Sequence, residues 1–146
     1  MNDSTLAHNR RASFDYEFLE TVEGGLALTG PEVKSAKAGH VQLTGAFLFV
    51  QNGELWLKGA RIAPYQPAGF RNGDPTRDRK VLVKKKDVMR FGGKTHADGL
   101  TLVPVSVYVT RGLVKLKFAL ARGKKQYEKR DKIKKRDAAR EDREYA

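Results

Sequence analysis

Residues 100–121 read LTLVPVSVYVTRGLVKLKFALA, and they decide the fold class. In the second half Val114, Leu116, Phe118 and Leu120 alternate with Lys115 and Lys117. A period of two sends alternate side chains to opposite faces of a strand. This stretch therefore predicts a strand with one core face and one lysine face. Residues 100–109 are rich in β-branched and aromatic types, which favour strands. Arg111-Gly112 lies between the halves and reads as a tight turn, so the whole is a β-hairpin.

The same signals recur upstream. Residues 41–51 and 54–62 read as strands joined by Asn52-Gly53, a strong hairpin signal. Residues 14–28 are β-rich, and Gly24-Gly25 inside them suggests a bulge or sharp bend. Gly30-Pro31-Glu32 opens a short helix: Pro31 suits the first turn, Glu32 complements the dipole, and Gly39 is a natural stop. Residues 63–78 hold three prolines and two glycines and read as a loop. Residues 80–83 read as a short strand. Residues 84–91 read as a short basic helix closed by Gly92-Gly93. The expectation is a mainly-β fold: a small antiparallel, oligonucleotide-binding-like barrel of about six strands with two or three short helices.

The chain has 146 residues, enough for one such domain and a tail. Lys and Arg number 29 against 17 Asp and Glu, a net charge of +12. A polyanion is the expected partner, nucleic acid before an acidic membrane surface. There is no cysteine, which excludes disulfides, thiolate metal sites and cysteine nucleophiles and suits a reducing cytosol. No apolar run is long enough for a membrane helix, and the first residues carry no secretory pattern. Residues 122–146 contain eleven basic and six acidic side chains but one isoleucine. Such a segment buries too little surface to offset the entropy of ordering. Rich in Lys, Arg, Glu and Ala, it is expected to be disordered when free and helical against an anionic partner. The expected division is a body of residues 1–122 and a basic tail of residues 123–146.

Catalysis finds little support. His8, His40 and His96 have no second ligand at metal spacing, and the serines lack a nucleophile-elbow context. Gly92-Gly93-Lys94 is too short for a phosphate loop, and Glu141-Asp142 sits in the tail. No metal or cofactor is implied. The basic clusters are more informative. Lys84-Lys85-Lys86 reads as a solvated helix face or an anion contact. Around Asp74-Pro75, the residues Asn72, Arg77, Arg79 and Lys80 offer guanidinium forks and backbone donors to phosphates. The other reading is a loop fastened to its own body by Asp74 and arginine ion pairs. In Gly123-Lys124-Lys125-Gln126-Tyr127-Glu128-Lys129-Arg130 an aromatic ring lies between bases, so cations can track a backbone while the ring stacks.

Five stretches in this order resemble one family: Asn9-Arg10-Arg11-Ala12, Gly25-Leu26-Ala27-Leu28, Gly30-Pro31-Glu32-Val33-Lys34-Ser35, Asp74-Pro75-Thr76-Arg77-Asp78-Arg79-Lys80 and Gly123-Lys124-Lys125-Gln126. The family is SmpB, the SsrA-binding proteins of bacterial trans-translation. The resemblance implies an oligonucleotide-binding-like barrel that binds the elbow of the tRNA-like domain of transfer-messenger RNA. It implies action on stalled ribosomes, with the body at the small-subunit decoding region and the tail in the empty mRNA channel. It implies a cytoplasmic protein, expected to be a monomer. A ribosomal RNA-binding or assembly protein without a tagging role is the alternative.

Carried over by position, the resemblance implies RNA contacts at Asn9, Arg10, Arg11, Glu23 and Lys115, with Lys34, Arg77, Arg79 and Lys80 as phosphate contacts. Leu82 matches an apolar position near that surface, though on pattern alone it is equally a core residue. Gly123 falls at the hinge between body and tail. Lys124, Lys125, Tyr127, Lys129 and Arg130 fall where the tail meets ribosomal RNA. Two positions depart from the family pattern: Tyr127 stands where many members carry His, and Pro31 where an aromatic is common. A tyrosine ring still stacks but gains no charge near neutral pH.

Overall fold

The computed structural model describes residues 4–124. The described elements, in chain order, are β1 (Ser4–His8), α1 (Arg10–Asp15), β2 (Tyr16–Leu26), α2 (Gly30–Lys37), β3 (Val41–Gln42), β4 (Phe47–Gln51), β5 (Glu54–Lys58), β6 (Arg61–Ile62), a 3-10 helix (Gln66–Arg71), β7 (Arg79–Leu82), α3 (Lys85–Ala97), β8 (Thr101–Thr110) and β9 (Leu113–Gly123). Six antiparallel strands run in the order β8-β4-β5-β7-β2-β9, and the β8–β9 pairing closes them into a ring. The mainly-β ring with short helices matches the fold expected from alternation and turns. Both hairpins turn where the sequence places them, with positive φ at Asn52-Gly53 and at Arg111-Gly112.

The ring interior is filled by the inward sets of its strands. Leu48, Leu55, Leu57, Val81, Leu102, Val107, Leu116 and Phe118 are all buried there. Helix α3 adds Val88 and Phe91, and the Phe91 ring meets Phe118 edge-on at 5.6 Å. Glu20 on β2 accepts two hydrogen bonds from Arg90, pinning α3 to the wall. A second, smaller core lies outside the ring: Ala12 of α1 packs on Val103, Val105, Ala119 and Ala121. Here the outward face of β8 and β9 is apolar as well, and α1 covers it.

Several sequence expectations are corrected. β2 is not broken at Gly24-Gly25; its bulge falls at Leu19, between Phe18 and Glu20. Gly24 is there for close approach: a Cβ would sit 2.8 Å from Val83 Cγ1 and 3.0 Å from Val81 Cγ1. Helix α3 does not stop at Gly92-Gly93 but continues to Ala97. Gly92 lies against Val50, Phe91 is fully buried, and that packing outweighs the low helix propensity of the pair. The stop is Gly99, at φ +64°. The two long strands around Asn52-Gly53 are each interrupted, and β3 pairs with β6 as a separate ribbon. The Pro/Gly loop contains a 3-10 helix. Residues 4–15 add β1, paired to β8, and α1, neither of which the periodicity reveals.

One carboxylate joins the parts. Glu32 closes a capping box with Thr29 at the start of α2: the Thr29 N–H donates to Glu32 at 2.9 Å, and the Glu32 N–H donates to Thr29 Oγ1. The same carboxylate receives Arg79 through Nε at 3.0 Å and Nη2 at 2.7 Å, and Arg77 through Nη2 at 2.5 Å. Arg79 is 1% exposed and also donates to the carbonyls of Ala60 and Pro75. Burial raises the Glu32 pKa, but the donors Arg77, the Thr29 N–H and Arg79 together outweigh it and hold it at about 2, below the ordinary 4.5.

A depressed carboxyl pKa means that the charged form supports the fold above about pH 4.5, and that this support is lost as the pH falls through about 2. Glu32→Gln leaves the buried Arg79 charge unpaired, so a loss of about 3–5 kcal/mol is expected in urea unfolding at pH 7. The variant should also show a flatter loss of stability between pH 5 and 2. Parallel acid titrations of both proteins check this.

Candidate nucleic-acid interface

The strand register lays one row of side chains across four neighbouring strands. Tyr108 on β8 is opposite Lys115 on β9, Lys115 is opposite Gly25 on β2, and Gly25 is opposite Leu82 on β7. The next row sets Ser106 opposite Lys117, and Lys117 opposite Glu23. On β7 and its neighbours, Lys80 is opposite Trp56, and Trp56 is opposite Phe49. All these positions share the outward parity, because Leu116, Val81 and Leu55 between them point into the core.

The face has cations and apolar surface together. Leu82 is half exposed and leans across Gly25, where a Cβ would meet its side chain at 3.5 Å. Lys115 and Lys117 have no carboxylate partner among the described residues. Lys80 reaches Glu54 at 2.5 Å, across a surface that leaves both exposed. Beside the rows an open groove of about 890 Å³ runs between the Asn52-Gly53 turn, the end of β7 and the start of α3. Glu23, Lys80, Leu82, Lys84 and Lys85 line it.

The structure thus brings Glu23, Lys80, Leu82 and Lys115 to one face. The ambiguity over Leu82 ends on the exposed side. Other expected residues lie elsewhere. Arg79, expected as a phosphate contact, is turned inward, because it shares parity with the buried Val81. Arg77 is likewise engaged by Glu32 and donates to the Ala27 and Asp78 carbonyls. The loop is indeed fastened to the body, but by Glu32. Asp74 instead receives the Thr76 N–H and hydroxyl, which hold its carboxyl below the usual range.

Asn9 is buried at the β8 bulge. Its Nδ2 donates to the Pro104 carbonyl at 3.0 Å and its N–H to the Val105 carbonyl at 2.8 Å, which satisfies backbone groups the bulge leaves over. Arg10 and Arg11 are exposed on α1, with Arg11 paired to Asp15 at 3.1 Å. Lys34 is exposed on α2, its Nζ 5.7 Å from the centre of the Tyr65 ring. Gly123 still pairs with Tyr16, and Lys124 is tied to α1 by its N–H to the Asp15 carbonyl and its Nζ to the Ser13 carbonyl. Lys125, Tyr127, Lys129 and Arg130, with the expected tail helix, lie outside the described residues.

Sequence reasoning set Lys117 on the lysine face without naming it as a contact, and missed Tyr108, Trp56 and Phe49 as members of that face. The signal was available: a two-residue turn at Arg111-Gly112 fixes Thr110 opposite Leu113, and counting back gives Tyr108 opposite Lys115. Among the described residues no group of three His, Cys, Asp or Glu is placed to hold a metal, and no helix is long and apolar enough to cross a membrane.

A closed antiparallel ring with unpaired lysines, exposed apolar groups and aromatic rings on one open face defines a small nucleic-acid-binding β-protein. The comparisons give the family. The SmpB protein family model matches residues 6–146. The SsrA-binding protein of Desulforudis audaxviator is 48% identical over 95% of this chain and 91% of its own length. That of Carboxydothermus hydrogenoformans is 47% identical over 95% and 93%. A solved chain described as "tmRNA-SmpB: a journey to the center of the bacterial ribosome" aligns with a TM-score of 0.68 and 50% identity, over 82% of this chain and 85% of that one. The chain belongs to the SmpB family.

Each phosphate neutralised by a lysine contributes about −0.9 to the logarithmic salt slope on duplex-like RNA, and somewhat less on single strands. Lys115→Ala and Lys117→Ala should each flatten that slope by about one unit. Both should leave the unfolding free energy within about 0.5 kcal/mol of the parent, because these are surface positions. Filter-binding isotherms at four salt concentrations, with urea unfolding alongside, check this.

Proposed function

We propose that this chain is an RNA-binding adaptor of trans-translation. It binds the tRNA-like domain of transfer-messenger RNA and delivers that RNA to stalled ribosomes, so that the nascent peptide is tagged and the ribosome released. The observation that carries this reading is the row Tyr108, Lys115, Gly25 and Leu82, flanked by Lys117, Glu23 and Lys80. The relatives are named SsrA-binding proteins, and the solved neighbour is described as a tmRNA-SmpB assembly in the bacterial ribosome. Those names supply the RNA; the face supplies the chemistry.

The mechanism has three physical parts. A net charge of +12 draws the protein to structured RNA quickly and in a salt-dependent way. The rigid face then meets an RNA elbow, whose unpaired bases and shape are recognised in place of a duplex sequence. Lysines take phosphates while Leu82, Tyr108 and Trp56 offer apolar and aromatic surface. Residues 1–122 act as the RNA-binding body and residues 123–146 as a ribosome-binding tail, with Gly123, Lys124, Lys125, Tyr127, Lys129 and Arg130 meeting ribosomal RNA. The tail orders only within an empty, anionic mRNA channel, and the cost of ordering makes it a test for vacancy. The protein works as a monomer in the cytoplasm and has no catalytic role.

The test is binding to the tRNA-like domain against an unrelated folded RNA of equal length across a salt series. A preference that survives about 0.15 M salt, near physiological strength, is expected. Equal binding to both RNAs that collapses with salt would point to a general ribosomal RNA binder. Truncation after Gly123 should leave binding to transfer-messenger RNA within a factor of a few and abolish peptide tagging on stalled ribosomes. Loss of RNA binding on truncation would overturn the division between body and tail.

A further inference from the structure

Phe70 is 97% exposed, the most exposed large apolar side chain among the described residues. It does not sit on a slack loop. The Asn72 side chain bridges the segment three times: Oδ1 accepts from the Tyr65 N–H at 2.9 Å, and Nδ2 donates to the carbonyls of Tyr65 at 2.8 Å and Gly69 at 3.0 Å. The Ala68 N–H returns to the Tyr65 carbonyl, and Ala68 is buried as the inward anchor. Gly69, at φ 54° and ψ −121°, reverses the chain, so Ala68 points in and Phe70 points out. No L side chain adopts that conformation readily. The fold therefore holds an aromatic ring in water on a pre-organised mount.

The neighbours say what the ring meets. Arg71 follows it and Lys34 stands over the Tyr65 ring at the base of the same loop. Neither cation has a carboxylate partner among the described residues. Asp74, the near acid of the loop, is turned to Thr76. A protein-docking patch needs several hundred Å² of contiguous apolar surface, and a single ring does not provide it. An exposed ring on a loop with two cations that lack carboxylate partners among the described residues, Arg71 reaching only the Ala68 carbonyl at 3.5 Å and Lys34 packed on Tyr65, is the footprint of a stacked base with its phosphates.

The loop joins β6 to β7 and so emerges at the Arg79 end of β7. The row of the candidate interface crosses β7 at Leu82, the opposite end. We propose that Phe70 stacks on an unpaired base of ribosomal RNA, with Arg71 and Lys34 on the adjoining phosphates, while the Leu82–Lys115 face holds transfer-messenger RNA. This rests on the function proposed above.

The experiment uses the full chain with Phe70→Ala, Phe70→Leu and Phe70→Tyr, and measures affinity separately for salt-washed 70S ribosomes and for the isolated tRNA-like domain. Loss of one base stack predicts that Phe70→Ala weakens ribosome binding about 5- to 150-fold. Phe70→Tyr should retain it and Phe70→Leu should not, since leucine matches the apolar bulk but has no π-face. Binding to the tRNA-like domain should not change. Unchanged ribosome affinity for Phe70→Ala overturns the proposal, as does full rescue by leucine. A loss that appears on the tRNA-like domain reassigns the ring to transfer-messenger RNA and overturns it too. If the parent chain itself fails to bind ribosomes, the function reading falls, and this inference with it.

Discussion

One largely enclosed carboxylate, that of Glu32, sets the relation between the helices and the ring. It caps α2, fixes Arg79 inside β7, and takes Arg77 from the loop that precedes β7. Through Arg79 the same charge reaches the Ala60 carbonyl at the β5–β6 corner and the Pro75 carbonyl in the loop. Three segments distant in sequence, residues 29–32, the β5–β6 corner and residues 75–79, thereby converge on one ion. A buried charge is costly to desolvate, and it persists here because nearly every lone pair and N–H is matched. The network neutralises two arginines, Arg79 buried and Arg77 partly exposed, and leaves the outward Lys115 and Lys117 as charge without a carboxylate partner among the described residues.

That division explains which parts of the molecule could be read from sequence. Strand identity followed from Val114, Leu116, Phe118 and Leu120 alternating with Lys115 and Lys117, because period two depends on backbone geometry alone. Hairpin turns followed from Asn52-Gly53 and Arg111-Gly112, where local conformation chooses the residue. Arg79 was misread because a basic side chain in a Gly/Pro loop looks solvated; its partners Glu32 and the Ala60 carbonyl, 47 and 19 residues away, make burial favourable. Gly24 was misread because close approach and bulging both demand the absence of a Cβ. Gly92-Gly93 was misread because Val50, on a strand more than forty residues earlier, supports the helix there. Each miss is a tertiary contact overriding a local signal.

The interface was legible in part for the same reason. Glu23, Leu82 and Lys115 came from positional resemblance and met on one face. Lys117 and Tyr108 needed only the hairpin register to join them. Asn9 went the other way: expected from the resemblance to contact RNA, it lies where β8 bulges, and its amide completes the backbone hydrogen bonding of that bulge. A residue in such a position can serve recognition by holding the strand that carries it.

The bulges at Leu19 and at Val105 matter for how the chain can vary. Each changes which side of its strand the following residues occupy. Up to Phe18, β2 presents apolar side chains outward beneath α1; beyond Leu19 it presents Glu23 and Gly25 outward. Deleting Thr21, past the bulge, would reverse that parity, sending Glu23 toward the core and Val22 to water, although no residue of the face had itself been changed; deleting Leu19 would only remove the bulge, because Phe18 and Glu20 already stand in successive register positions. For this surface, insertions and deletions inside strands are graver lesions than most substitutions. Length variation should concentrate in the turns, where no parity is kept.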